Sequence, residues 1–337
     1  MKNAPITIKD IARILGISAS TVSRALKDHP DISVETKKAV NELATQLKYQ
    51  PNAIALSLKQ SRSNTIGVII PEIVHHFFSS VISGIEDVAY NAGYTVMICQ
   101  SSEKYDREVA NADMLAAHRV DGVLVSIAKE STSFEHLHML KDKGIPLVFF
   151  DRIASGMDCD QVLIDDEEAA YKATRHLIEN GRKRIVHFAG PELLMIGRNR
   201  REGYLRAIRE AGLPEDPALI IQADNYEKAV VAVRELFDKG QLPDGIFATN
   251  DLTAVGAMQG LQKLGIEIPR QIAIIGFSDG RLSGITNPTL SSVDQHGYDM
   301  GSIATELLLQ RILNEDDNYT PVTRILEGKL VVRESSI

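Results

Sequence analysis

Apolar residues recur in two different rhythms along this chain. In the first fifty positions they follow a helical spacing. Thr7 caps a run in which Ile8, Ile11, Ala12 and Leu15 share one face, and Gly16 ends it where a left-handed residue is wanted. Ser18 caps a second run with Val22, Ala25 and Leu26 inward and Ala19, Ser20, Ser23 and Arg24 outward. Ser33 caps a third, with Thr36, Val40, Leu43 and Leu47 on one stripe. Two short helices on a tight glycine turn, with small Ala12 at their crossing, make a helix-turn-helix.

From Thr65 onward short apolar runs alternate with longer amphipathic ones. Ile66–Ile70, Tyr94–Ile98, Gly122–Val125 and Pro146–Phe150 read as buried parallel strands, separated by helices near 77–92, 105–118 and 134–143. A second series places strands at Arg184–Phe188, Gly245–Ala248 and Ile272–Gly276, with helices near 167–180, 198–212, 227–238 and 251–264. Strands spaced by helices give a doubly wound sheet, and two series give two lobes.

Charge divides the chain at the same place. The net charge is −8, yet ten Lys and Arg against five Asp and Glu give residues 1–62 a charge of +5, leaving −13 for the rest. A basic head on an acidic body points to a polyanion at one end. No apolar run approaches the roughly 18–20 residues of a membrane span, so no membrane partner is expected. The first residues lack the apolar core of a secretion signal, which predicts a cytoplasmic protein. Cys99 and Cys159, 60 positions apart, make neither a disulfide framework nor a zinc site. Enzyme signatures are missing too: no glycine-rich phosphate loop, no nucleophile elbow and no zinc-protease helix. His75-His76 and His136/His138 lack metal-ligand spacing on one element and read as solvated, and Asp158-Cys159-Asp160 reads as a surface turn. No enzyme, no cofactor and no metal is therefore expected.

The run from Thr7 to Ser18, the Thr21-Val-Ser-Arg-Ala-Leu26 segment and Tyr49-Gln-Pro-Asn52 closely resemble the headpiece of lactose/galactose-repressor (LacI–GalR) regulators, and the remainder follows the same family almost to its end. The resemblance implies an all-α helix-turn-helix headpiece (1–50), a hinge (51–64) and a two-lobed α/β effector-binding and dimerisation domain of periplasmic-binding-protein type (65–337). Its amino-terminal lobe would cover about 65–162 and 294–322, and its carboxy-terminal lobe about 163–291 and 325–337. The crossings would fall near 162–165, 290–294 and 321–326. The implied function is a sequence-specific transcription repressor, a homodimer on a palindromic operator, controlled by a sugar-like effector; a transport-type solute-binding protein is the alternative. RNA is disfavoured, because the basic segment has one aromatic, Tyr49, and so no stacking platform.

In that family the second helix enters the major groove, which makes Ala19, Ser20 and Arg24 base readers. Arginine can grip guanine bidentately, alanine can pack on a thymine methyl, and serine can bond either way. Thr7, Ser18, Thr21, Ser23 and Asn52 suit the phosphate and sugar contacts that set register. Asn52–Lys59 is too short for a stable isolated helix and reads as a linker. The resemblance implies that it becomes helical only on DNA, with Leu58 wedged into a base step of the minor groove.

Ligands of doubly wound sheets sit at the carboxyl ends of the strands, here between the lobes. The family motif carries Phe77, Phe78, Ser126, Asp151, Arg200, Tyr226, Asn250 and Gln295 into that cleft: rings for a sugar face, planar polar groups for hydroxyls. Each also reads as ordinary structure: Phe77 and Phe78 as core, Asn250 as a helix cap, Arg200 as a surface ion pair, Tyr226 as an exposed ring. After Ile272–Gly276 many relatives place an Asp two positions past the Gly; here stands Ser278, followed by Asp279. Either Asp279 takes over that contact or the effector is not read there. Leu194 and Ile196 are apolar where purine-responsive relatives are polar, which disfavours a purine.

Overall fold

The computed structural model describes residues 6–49, 62–314 and 320–337. The chain divides into two compact units, Met1–Asn64 and Thr65–Ile337. The expectations for Asn52 and Leu58 lie outside the described residues.

In the first unit, α1 (Ile8–Leu15), α2 (Ala19–Leu26) and α3 (Val34–Gln46) close on Ile11, Ala12, Val22, Ala25, Val40 and Ala44. Gly16 stops α1 at φ 64°, a left-handed backbone that costs a glycine least, and its N–H returns to the Ala12 carbonyl. Ser18 and Ser33 cap α2 and α3 through the amides of Thr21 and Thr36. These ends are local chemistry, which explains why the spacing alone finds them.

The second unit is two sheets. The first contains β1 (Thr65–Ile70), β2 (Thr95–Gln100), β3 (Gly122–Val125), β4 (Leu147–Phe150), β5 (Asp160–Ile164) and β11 (Thr323–Leu326), in the order β11-β5-β4-β3-β1-β2. The second contains β6 (Ile185–Ala189), β7 (Ile220–Gln222), β8 (Gly245–Ala248), β9 (Ala273–Ser278), β10 (Ser291–Asp294) and β12 (Lys329–Val331), in the order β12-β10-β9-β8-β6-β7. Every pairing is parallel except β10 with β12. Each strand order reverses beside the first strand of its series, the arrangement that opens a crevice at the carboxyl ends.

Helices cover both faces of each sheet. On the first lie α4 (His76–Asn91), α5 (Tyr105–Ala117) and α6 (Glu135–Asp142). On the second lie α7 (Asp166–Glu179), α8 (Met195–Glu210), α9 (Tyr226–Asp238) and α10 (Asp251–Lys263). A further helix, α11 (Gly297–Leu313), packs against α4 and buries Met300, Ala304, Leu307 and Leu308 in the first lobe's core. The two helices touch backbone to backbone: a Cβ on Gly84 would collide with the Tyr298 carbonyl, and one on Gly301 with the Val81 carbonyl.

Several expectations need correction. Strands β10 and β11 occupy the ranges 290–294 and 321–326 assigned to crossings; the chain instead passes between lobes at Asp165, 295–296 and 327–328. The first lobe thus runs on to Leu326. Ser-Ser-Val-Asp and Thr-Arg-Ile-Leu are too polar and short to announce themselves as strands. Asp160 is no surface turn: it is buried at the head of β5, where Arg311 binds it at 2.5 and 2.9 Å and the Val322 amide at 2.7 Å. His136 is not solvated; it is buried with Nε2 2.9 Å from Glu108. Among the described residues, no helix is long and apolar enough to cross a membrane and no cluster of His, Cys, Asp and Glu is placed to hold a metal.

Candidate functional site

In the headpiece, α2 presents a polar edge. Val22 and Ala25 are buried, while Ser20 and Arg24, four residues apart and so on one face, are exposed. Arg24 has no ion pair among the described residues, so its guanidinium is available to a base edge. Ser18 caps the helix, and its hydroxyl lies 2.7 Å from that of Ser20 and 2.8 Å from that of Thr21, a cluster at the helix start. Ser23 is half-buried. Ala19 is half-buried too and packs on the headpiece core, so only part of its methyl can reach a base. Thr7 donates both its amide and its hydroxyl to Asp10, at 2.9 and 2.6 Å, leaving a phosphate only what Asp10 releases.

In the second unit the carboxyl ends of both sheets enclose a cavity of about 500 Å³. Of the ten cleft residues expected, eight line it: Phe77, Phe78, Asp151, Arg200, Tyr226, Asn250, Ser278 and Gln295. Phe77 and Phe78 meet edge to face at 5.2 Å at the start of α4 and are also buried in the first lobe's core, so both readings of them hold. Arg200 is not on the surface. It is buried, donates from Nε to Asp166 and from Nη1 to the Thr249 carbonyl, each at 2.7 Å, and lies 3.8 Å over the Phe277 ring. Those contacts fix the guanidinium and leave Nη2 without a hydrogen bond to any described residue.

Asp151, at the carboxyl end of β4, faces it from the other lobe. It stands at φ 60°, and burial pushes its carboxyl up to about 6 against the pull of Arg152 and Arg200. Gln295 accepts from the Ser278 hydroxyl at 2.8 Å, and its amide nitrogen has no hydrogen bond to any described residue. Ser278 and Asp279 are consecutive non-glycine residues at positive φ, 123° and 49°, and such backbone persists only where surroundings hold it. The buried Asp251 carboxylate does so, accepting from the Gly280 amide and from Ser283 and Ser292 at 2.5 to 2.9 Å.

Two candidates are not in the cavity wall. Asp279 does not take over the missing contact: Arg333 binds its carboxylate at 2.6 Å and draws it away. Ser126, just past β3, is fully buried, and its hydroxyl has no hydrogen-bond partner among the described residues. Two others spend their polar atoms within the protein. Asn250 caps α10 by accepting from the Thr253 amide at 2.8 Å and donates to the Asp224 carbonyl at 2.9 Å. The Tyr226 hydroxyl is bound to Gln259, so only its ring faces inward.

The sequence reading missed Glu103, Lys129, Arg152 and Asp224, all in loops at the carboxyl ends of strands. Arg152 is gripped by Glu103 at 2.9 and 3.0 Å. Lys129 of the first lobe reaches Asp224 of the second at 3.4 Å, an ion pair across the cleft. Burial works to raise Asp224, but Lys228 and Lys129 together hold it below the ordinary carboxylate value. Arg152 follows Asp151 directly, a signal that was legible. The others depend on loop conformation.

Comparison with known proteins gives this architecture a lineage. Residues 7–52 match the family described as bacterial regulatory proteins, lacI family, and residues 63–331 match periplasmic binding proteins and sugar binding domain of LacI family. Catabolite control protein A of Priestia megaterium is 34% identical over 92% of this chain and 93% of its own. The HTH-type transcriptional repressor PurR of Vibrio atlanticus (strain LGP32) is 35% identical over the same shares. Among solved structures, a transcriptional regulator CelR–cellobiose complex superposes with a TM-score of 0.75 at 29% identity, covering 98% of this chain and 99% of that one. The lac repressor dimer bound to operator and an anti-inducer shares the fold at a TM-score of 0.87 and 22% identity, covering 99% and 100%. This chain belongs to the LacI family of bacterial regulatory proteins, which are DNA-binding repressors and not enzymes.

Proposed function

We propose that this regulator binds a palindromic operator as a homodimer in the cytoplasm, and that a small polyhydroxylated molecule in the interlobe cavity sets its operator affinity. The observation that carries the reading is the fixed Arg200 guanidinium and the buried Asp151 carboxyl, on opposite lobes of one cavity that the rings of Phe77, Phe78 and Tyr226 also line. A donor and an acceptor held rigidly on opposite lobes suit vicinal hydroxyls, and rings suit a sugar's apolar face. The CelR structure, titled as a complex with cellobiose, agrees with a sugar in this place.

On the DNA side, Arg24 and Ser20 read base edges, with Ala19 contributing what remains of its exposed methyl. Ser18, Thr21, Ser23 and Asn52 set register on the backbone, and Leu58 wedges the minor groove at the centre of the site. Two-fold symmetry of the protein then requires a two-fold operator. Ligand bound by both lobes biases their relative position, and that bias reaches the paired hinges as a coupling free energy between two sites.

The test is operator selection from random duplexes by the full chain, followed by fluorescence anisotropy titration with a panel of sugars. A selected palindrome whose affinity changes with one sugar, and a Gln295→Ala variant that keeps operator affinity but loses the change, support the proposal. A sugar response unchanged in Gln295→Ala and in Asp151→Asn removes the cavity from the effector role.

A further inference from the structure

The charges around the cavity fix the sign of what enters it. Three cations face it, and each is already engaged: Arg200 by Asp166 at 2.7 Å, Arg152 by Glu103 at 2.9 Å, Lys129 by Asp224 at 3.4 Å. The wall carries five carboxylates, Glu72, Glu103, Asp151, Asp224 and Glu227, with Asp166 directly behind Arg200. Asp151 stands out among them. It is 4% exposed, accepts no hydrogen bond from the described residues, and has the nearest guanidinium nitrogen, Arg152 Nε, at 3.7 Å.

Backbone donors do not reverse this balance. The starts of α9 and α10, which reach the cavity, are closed by the side chains of Asn225 and Asn250. The starts of α4 and α8 have no side-chain cap, but Val74, Phe77 and Phe78 line the cavity at the first and Leu194 and Ile196 at the second, and Arg200, with Asp166 of α7 behind it, lies on the next turn of α8. An incoming phosphate would therefore find no unpaired cation among the described residues, two helix starts flanked by apolar side chains, and an acidic wall in a site of low dielectric, where like charges repel most strongly. A hydroxyl finds the opposite: Asp151 needs a donor, while Arg200 Nη2 and the Gln295 amide nitrogen need acceptors.

We infer that the cleft ligand carries no net negative charge: it is a neutral polyhydroxylated molecule, and phosphorylated sugars, nucleotides and sugar acids are excluded. The inference rests on the cavity being the effector site. Calorimetric titration of the full chain at fixed ionic strength tests it with matched pairs: glucose and glucose 6-phosphate, ribose and ribose 5-phosphate, cellobiose and cellobionate, adenosine and AMP. Each is repeated on Asp151→Asn and Gln295→Ala, and binding weakened in either variant is scored as cleft binding. The expected result is cleft binding by a neutral member, at least tenfold weaker binding by its anionic partner, and a narrowing of that gap in Asp151→Asn. An anionic member that occupies the cleft as tightly as its neutral partner overturns the charge inference and leaves the sensor reading standing. Absence of cleft binding by every member of both series overturns both.

Discussion

Arg200 shows how a binding residue is also a structural one. Its guanidinium pairs with Asp166, a carboxyl that burial holds above its ordinary value even against the pull of Arg200. Arg200→Ala strands that carboxyl in the interior, and breaking a buried pair from one side costs about 3–5 kcal/mol. We expect the variant to lose that much stability by urea unfolding. Arg200→Ala/Asp166→Ala should lose less than the two single changes added together, and strict additivity would show that the pair is not coupled. Arg24 differs: it is exposed and has no ion pair among the described residues, so Arg24→Ala should leave stability within about 0.5 kcal/mol while costing about 1–3 kcal/mol on the selected operator and relaxing one base position. Unrelaxed discrimination across single-base variants would remove it from the readers. What sequence shows at this scale is identity at a position, and not where the side chain's atoms are spent. Asn250 and Tyr226 stand where expected yet have their polar atoms satisfied internally, and Asp279 is diverted by Arg333, 54 residues later in the chain.

At the scale of elements, legibility followed burial. Strands β1, β3, β4, β8 and β9 are covered on both faces and read as unbroken apolar runs. The peripheral strands β7, β11 and β12 are three or four residues long and partly exposed, so no run marks them. The helix α11 was missed for a related reason. Its close contact with α4 is made by glycines and small residues, and a glycine-bearing stripe lacks the apolar contrast by which a helix face is recognised. That same contact is brittle. Gly301→Val drives a branched side chain into the Val81 backbone, which cannot give way as a flexible side chain would. The variant should lose about 3 kcal/mol or more, the upper end of overpacking costs, as a downward shift of the thermal midpoint in the second unit. An unchanged midpoint would mean that α4 and α11 are not in backbone contact in solution.

The whole molecule adds a pH dependence that no single element has. Asp151 is raised to about 6 from an ordinary 3.8, whereas His187, buried in β6 between Phe247 and Tyr204, is lowered to about 4 from 6.5, chiefly by burial. Between pH 3.8 and 6 the folded chain holds a proton on Asp151 that the unfolded chain releases, so stability on this account falls as pH rises. Between pH 6.5 and 4 the unfolded chain takes up a proton that folded His187 refuses, so stability falls as pH drops. Each shift is roughly two units or more, or about 3 kcal/mol, and the two slopes oppose each other over nearly one window. Stability of the second unit should therefore be almost flat from pH 4 to 6 as far as these two groups govern it. Asp151→Asn removes one slope, and the variant should lose about 3 kcal/mol more than wild type between pH 6.5 and 4. Ligand affinity separates the two groups again. The ionised Asp151 carboxylate accepts a hydroxyl more strongly than its protonated form does, so affinity for a neutral sugar should rise with pH up to about 6, at most about tenfold per unit, and level off above it. His187, outside the cavity, leaves that profile untouched. Calorimetry of the bound sugar at pH 5 and pH 7.5 in wild type and Asp151→Asn decides the matter: a steep wild-type dependence and a flat variant are expected, and equal slopes in both would mean that Asp151 does not face the ligand.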